Sequence, residues 1–347
     1  MDFMLNEFER HLTKAVVTAL HQDGDAWDRL AAIDAHVVGL PHRVDGLDLG
    51  LAAEAIVARE LGRALEPLPR LRDAVLASHV LARCADARSA ALLTDVVAGA
   101  RRVGCAGPLE PDTSVTVDSR DRVRGTSPRV AAAAWDLVLV RATRSGEDVL
   151  VLVEPDGEGV EAELATAGEH GGVRLRCGAA PGLVLPAGPD LGRLRAAERV
   201  RQAAFLLGVA DAAVEAGRRH ANRRRQFERR LIDFQTVGHR LAALTGEADG
   251  LALLLFEAAW RLDSGAAPGP YPAQVLAASA ELALGAARLA IQLHGARGML
   301  AHDHPARAYR LAGAEAVRYG TPARLWREVA AARLAGVRDG TARPSGR

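Results

Sequence analysis

The strongest constraint on this chain is the order in which its hydrophobic period changes. From Asp2 to about Ala100 apolar residues recur at helical spacing, as in LAAEAIVARELGRAL and DAVLASHVLARCA. Gly and Pro interrupt that pattern at GLPHRVDGLDLG and at Glu66-Pro67-Leu68-Pro69. Between about Val103 and Pro186 the runs shorten. VTVDSRDRVRG alternates around a polar turn, DLVLVRAT and DVLVLVEP are brief and β-branched, and GVRLRC and GLVLP follow. Short runs bounded by Gly, Asp and Pro predict antiparallel strands, and no helical stretch separates them as βαβ units require. From Asp190 helical spacing returns in four segments, which begin at RLRAAERV, LIDFQTVG, PAQVLAAS and TPARLWRE and predict a bundle. The expected fold is mainly α with a small β-domain. It comprises an N-terminal helical domain over 1–102, a middle antiparallel β-domain over 103–187, a C-terminal four-helix bundle over 188–340 and a frayed tail over 341–347.

Composition narrows the function. A formal net charge of +1 supplies no global field for nucleic acid or an anionic membrane. Lys14 is the only lysine, and the Arg bias fits a GC-rich genome better than a phosphate-binding role. Cys84, Cys105 and Cys177 are widely spaced, so neither a metal site nor a disulfide framework is expected. The N-terminus lacks the basic start and apolar run of a signal peptide, and no stretch reads as the roughly 18 apolar residues of a membrane span. A cytoplasmic protein is expected.

Three passages are more specific. Arg224-Arg225-Gln226-Phe227 reads as the opening of the second bundle helix, with Phe234-Gln235 and His239-Arg240-Leu241-Ala242 after it. Gln292-Leu293-His294-Gly295-Ala296-Arg297-Gly298 closes the third, followed by HDHPARAYR ending at Arg310. GLPHRVDGLDLG with ARELGRALEPLP lies near the N-terminus. Together they resemble the acyl-CoA dehydrogenases, whose matching passages read R-x-x-F-G, F-Q, H-x-L-A, Q-x-x-G-G-x-G and P-E-x-x-G-G-x-G with E-E-L-G. The resemblance covers nearly the whole chain and is strongest over 190–335.

That resemblance implies a bound FAD. The family's Arg reaches the pyrophosphate held by a neighbouring subunit with the Phe packed nearby, which here implies Arg224 and Phe227. A guanidinium is a rigid fork suited to phosphate oxygens. The Gln and glycine turn let backbone come close to the adenine side, which implies Gln292, Gly295 and Gly298, and Thr321 completes the implied cofactor contacts. Departures are equally informative. Glu228 and Ala296 stand where the family has Gly. The family's T-E-P-x-x-G-S-D loop and W-I-T strand correspond to GPLEPDTSVTVD and GTSPRVAAAAWD, where Glu110-Pro111 reads as a remnant and Trp135 as domain packing.

Dehydrogenation between Cα and Cβ of a thioester needs a carboxylate, in a dry site, to take the α-proton. Most of the family places this Glu before a Gly-Thr. Here Tyr319 holds that place ahead of Gly320-Thr321, and a Tyr of ordinary pKa near 10 is a poor base, so Tyr319 reads as non-catalytic. A minority carries the base on the first bundle helix before an Arg, which corresponds to Glu198-Arg199 and makes Glu198 the candidate base. The alternative is a Glu placed in a first helical turn by the macrodipole.

The resemblance implies α,β-desaturation of an acyl-CoA, with an electron-transfer flavoprotein as acceptor. Its pattern is that of the short, degenerate subunit of a heteromeric enzyme, clamping a flavin held mainly by a full-length partner. Other expectations are a self-sufficient dimer or tetramer using Glu198, a monooxygenase or biosynthetic flavoenzyme of the same fold, and a flavin-free scaffold.

Overall fold

The computed structural model describes residues 7–107, 114–131, 133–166, 171–186 and 190–338; the tail 341–347 and Glu110-Pro111 lie outside the described residues. Helices α1 (Glu7–Leu20), α2 (Ala26–Ala31), α3 (Gly50–Arg63), α4 (Pro69–Leu81) and α5 (Ala87–Val97) come first. Among the described residues nine strands follow: β1 (Val103–Cys105), β2 (Thr116–Val117), β3 (Arg122–Thr126), β4 (Val130–Ala131), β5 (Leu137–Arg144), β6 (Glu147–Val153), β7 (Val160–Thr166), β8 (Gly172–Pro181) and β9 (Leu183–Val184). Then come α6 (Leu191–Arg223), a two-stranded hairpin of β10 (Arg225–Gln226) and β11 (Arg229–Arg230), α7 (Gln235–Asp263), α8 (Tyr271–His294), α9 (His304–Glu315) and α10 (Pro322–Arg338). Asp25 and Asp86 cap α2 and α5 by accepting from the first free backbone N–H groups, and Pro69 opens α4 where its missing N–H costs nothing.

The residues gather into two compact units. One comprises Gln22–Leu49 and Leu68–Glu198, the other Met1–His21, Gly50–Pro67 and Arg199–Arg347. In the first unit the sheet runs β4-β8-β3-β2-β5-β6-β9, with β1 beside β5 and β7 beside β8. Most pairs are antiparallel, but β5 pairs in parallel with both β1 and β2, a correction to the purely antiparallel expectation. Parallel neighbours need a long connection, and the excursion from Cys105 to Leu137 supplies it. Val117, Val123, Val138, Val140, Val151 and Leu175 fill its core. Trp135 belongs to that core, and its indole N–H donates to the Ala131 carbonyl at 2.9 Å.

In the helical unit α8 packs against α7, α9 and α10, and α3 packs against α1 and α7. Alternation of buried and exposed residues at helical period produces these faces. Asp263, the last residue of α7, accepts from the N–H groups of Leu51 and Ala52 and so caps α3. α3 also lies against α6 at two glycines. The missing Cβ of Gly62 faces the Phe205 carbonyl and that of Gly208 the Arg59 carbonyl. Arg59 and Arg63 donate to Asp211 across the same crossing at 2.9 and 3.0 Å, and buried Arg201 pairs with buried Glu54. One expectation is overturned on hydropathy: Tyr271–Met299 is long and apolar enough by composition to cross a membrane. Since 61% of its most apolar window is buried inside the protein, it is a core helix of the bundle.

Candidate functional site

The Arg-x-x-Phe passage does not open a helix. α6 ends at Arg223, and Arg225↔Arg230 and Gln226↔Arg229 pair as a hairpin before α7 begins at Gln235. The turn residues Phe227 and Glu228 have φ of 49° and 62°. Two left-handed turn residues are what a tight two-residue hairpin demands, and they break any helix. The family's Gly at the second position follows from this geometry, while Glu228 takes it at a steric cost of about 1–2 kcal/mol. Buried Ala221, Leu241 and Leu289, with Leu231, Ile232, Val237 and Leu293 against them, tie the hairpin's base to α6, α7 and α8. The Phe227 ring stands 86% exposed at the tip.

At the end of α8 the Gln-x-x-Gly passage makes a sharp stop. Gly295 has φ of 63° and ψ of −142°, and Gly295–Met299 continues as a 3-10 turn. A Cβ on Gly298 would lie 2.9 Å from the Ile291 carbonyl oxygen, so this glycine is required by close packing of the turn on its own helix. The Gln292 side-chain oxygen accepts from Arg240 at 3.2 Å.

The ends of α6 and α8 meet. The His220 and His294 rings lie 4.1 Å apart, centroid to centroid, and His294 Nδ1 is bonded to the Ala290 carbonyl at 2.7 Å. Burial lowers the pKa of His220 from its ordinary 6.5, aided by His294, Arg224 and Arg297. The two passages therefore present Arg224, Arg297, His220 and His294 in one place. Among the described residues neither Arg224 nor Arg297 has a carboxylate partner. Four donors without an acid between them match a dianion such as the FAD pyrophosphate. His220 and Arg297 escaped sequence reasoning, because only folding brings residues near 220 and 297 together. Their signal was a His four residues before Arg224 and an Arg inside the glycine turn.

The candidate base sits elsewhere on α6. Glu198 is the eighth residue of that helix and 1% exposed, so the first-turn dipole explanation for it is removed. Its charge, after burial and Asp73, helps push the buried Cys105 thiol well above its ordinary pKa. Its neighbour Arg199 is paired with Glu328 at 2.7 Å. Tyr319 is 4% exposed, and the buried carboxylate near it, Glu315, accepts from both Arg318 and Gln202. Thr321 caps α10, its hydroxyl accepting from the Arg324 N–H at 3.3 Å.

Residues 194–334 match the family model described as acyl-CoA dehydrogenase, C-terminal domain. Acyl-CoA dehydrogenase FadE27 of Mycobacterium tuberculosis (strain ATCC 25618 / H37Rv) is 30% identical over 355 residues, covering 90% of this chain and 93% of the relative. Among solved structures, the Tcur3481-Tcur3483 steroid ACAD G363A variant superposes with a TM-score of 0.86 at 24% identity, covering 96% of this chain and 99% of that one. The ChsE4-ChsE5 complex from Mycobacterium tuberculosis does so with a TM-score of 0.84 at 24% identity, covering 99% and 100%. These structures share the fold, and the relative extends over nearly the whole chain. On the strength of that full-length match, the chain belongs to the acyl-CoA dehydrogenase family.

Proposed function

We propose that this chain is the flavin-clamping subunit of a hetero-oligomeric acyl-CoA dehydrogenase, a cytoplasmic enzyme that desaturates an acyl-CoA between Cα and Cβ. The observation that carries this reading is the acid-free group of Arg224, Arg297, His220 and His294 beside the exposed Phe227. The fork of Arg224 and the charge of Arg297 would hold the pyrophosphate of FAD, with Gln292 and the Gly295–Gly298 turn toward the adenine side. Bound there, the flavin supplies the two-electron acceptor for the dehydrogenation. Phe227, with Met299 (70% exposed) and Leu300 (55%), gives the rim an apolar surface that a partner subunit would cover.

Separation along α6 supports an oligomer. Glu198 and Arg223 are linked by continuous helix, about 38 Å at 1.5 Å per residue. An extended dinucleotide is shorter, so a base at Glu198 and a clamp at Arg224 belong to different flavins. Of the two solved structures that share the fold, one is the ChsE4-ChsE5 complex and the other a Tcur3481-Tcur3483 steroid ACAD, which favours a full-length partner and a bulky acyl-CoA. An electron-transfer flavoprotein is the acceptor by the same family analogy. Production alone and together with a full-length family partner tests this: flavin retained only in the joint preparation is expected, and yellow protein from the chain alone overturns it. In the assembled complex Arg224→Ala should weaken FAD binding by about 1.5–3 kcal/mol, and unchanged retention overturns the clamp.

A second reading, a self-sufficient homo-oligomer, is favoured by the burial of Glu198 two turns inside α6. Under it Glu198→Gln lowers substrate-driven flavin bleaching by about 10²–10⁴-fold, the usual contribution of a general base. Under the first reading bleaching persists, because the base is the partner's.

A further inference from the structure

Outside the pyrophosphate contacts of the family motif, the most unusual chemistry in the helical unit is its histidine cluster. His220 lies on the last turn of α6, His294 on the last turn of α8, and His304 opens α9. The His294 ring is pinned through Nδ1 to the Ala290 carbonyl, which leaves Nε2 for a second partner. The Nδ1 atom of His304 is buried without a hydrogen-bond partner among the described residues. The cations acting on this group come from several elements. α6 contributes Arg219 and Arg224, the turn after α8 contributes Arg297, and α9 contributes Arg307. From α7, Arg240 is held on Gln292. Carboxylates stand on the His304 side: Asp303 precedes it in the chain, and Glu60, Asp211, Glu215 and Asp249 line a cavity with it. Glu215 is bonded to Arg218 and lies 3.7 Å from Arg219, Asp211 accepts from Arg59 and Arg63, and Glu60 accepts from Arg63.

Two histidines in ring contact, in the field of two guanidinium groups that have no carboxylate partner among the described residues, form a site suited to negative charge. We propose that His220 and His294 are anion ligands of the clamp, and that one of the pair takes up a proton when a phosphate-bearing ligand binds. This rests on the reading of Arg224 and Arg297 as the pyrophosphate clamp.

The direction of the proton follows from the surroundings. In the free protein burial and the neighbouring cations keep His220 below its ordinary pKa, so it is neutral near pH 7. A dianion against the same guanidinium groups reverses the field and raises that pKa. Binding therefore strengthens as pH falls through the pKa of the bound state, and levels off below that of the free state. With one proton taken up, the limit is about tenfold in affinity per pH unit.

Inorganic sulfate is a suitable probe, because its charge does not change between pH 6 and 8. The experiment follows the histidine ring carbon-bound protons of the full chain by NMR during sulfate titrations at several pH values. Sulfate is expected to move the His220 and His294 signals, to raise the His220 midpoint by about one pH unit, and to bind up to about threefold more tightly at pH 6 than at pH 7. His220→Gln should bind sulfate with no such pH dependence, and Arg224→Ala should lose binding at every pH. The wild-type midpoint shift is decisive even if a variant fails to fold. If sulfate binds, with loss in Arg224→Ala, while the His220 midpoint stays put, the histidine proposal is overturned and the clamp stands. If the full chain binds no sulfate at any pH, the proposal and the clamp fall together.

Discussion

Glu54→Ala is expected to destabilise the helical unit by about 3–5 kcal/mol, the usual cost of stripping one partner from a buried ion pair. Glu54 on α3 and Arg201 on α6 are 6% and 8% exposed and pair directly. Removing the carboxylate leaves a guanidinium in a place water does not reach. The penalty is a buried guanidinium that has lost this partner, not the attraction between the two ions, whose formation already required desolvating both. The double change Glu54→Leu with Arg201→Met should therefore recover most of the loss, because it replaces two buried charges with side chains that pack. Chemical denaturation of the two variants beside the wild type measures this. A single variant within about 1 kcal/mol of the wild type would mean that solvent reaches Arg201, and the buried description of this seam would fail.

The pair belongs to a seam that orients α6. Arg199 reaches Glu328 on α10, Arg201 reaches Glu54, and Gln202 donates to the main chain and side chain of Glu315 on α9. Three consecutive polar contacts to three different helices fix the rotation of α6 immediately after Glu198. A half-turn error there would aim Glu198 elsewhere, so the seam sets where any chemistry at that carboxylate takes place.

How much of this was legible follows from the range of the interactions. Long helices such as α7 and α8 were readable because their apolar stripe recurs every three to four residues and Asp263-Ser264-Gly265 and Pro272 punctuate them. The hairpin strands β5 and β6 were readable from β-branched runs around a short turn. β7 was not, because VEAELAT is built of Ala, Glu and Leu, which favour helix, and only its pairing with β8 makes it a strand. The 225–230 hairpin was missed for a related reason: Phe-Glu is no turn signal, and its left-handed backbone is imposed by the packing at its base. At the site, Arg224 and Gln292 were readable from motif resemblance. His220 and Arg297 join them only in three dimensions. Glu198 was reached through the family resemblance, while its burial in the third turn, which removes the dipole explanation, needed the structure.

The same limit governs the glycines, and it yields the other large effect. Gly208→Val is expected to destabilise the helical unit by about 3 kcal/mol or more. A Cβ at Gly208 would lie 2.0 Å from the Arg59 carbonyl oxygen and 2.8 Å from the Arg63 nitrogen. These are backbone atoms of α3, which no side-chain rotation can move aside. The helices must separate, and the bonds from Arg59 and Arg63 to Asp211 span the same crossing. Gly250, in the interior of α7, has nothing within 4 Å of its missing Cβ. Gly250→Ala should therefore stabilise the protein by about 0.5–1 kcal/mol, the ordinary preference of a helix for Ala over Gly. The sequence presents both as glycines inside helical runs and offers no means of telling them apart. Thermal unfolding of the two variants side by side should move the midpoint in opposite directions, down for Gly208→Val and up for Gly250→Ala. A Gly208→Val protein that melts with the wild type would require α3 and α6 to lie farther apart than two helices meeting at glycines, and the placement of α6 that orients Glu198 would have to be abandoned.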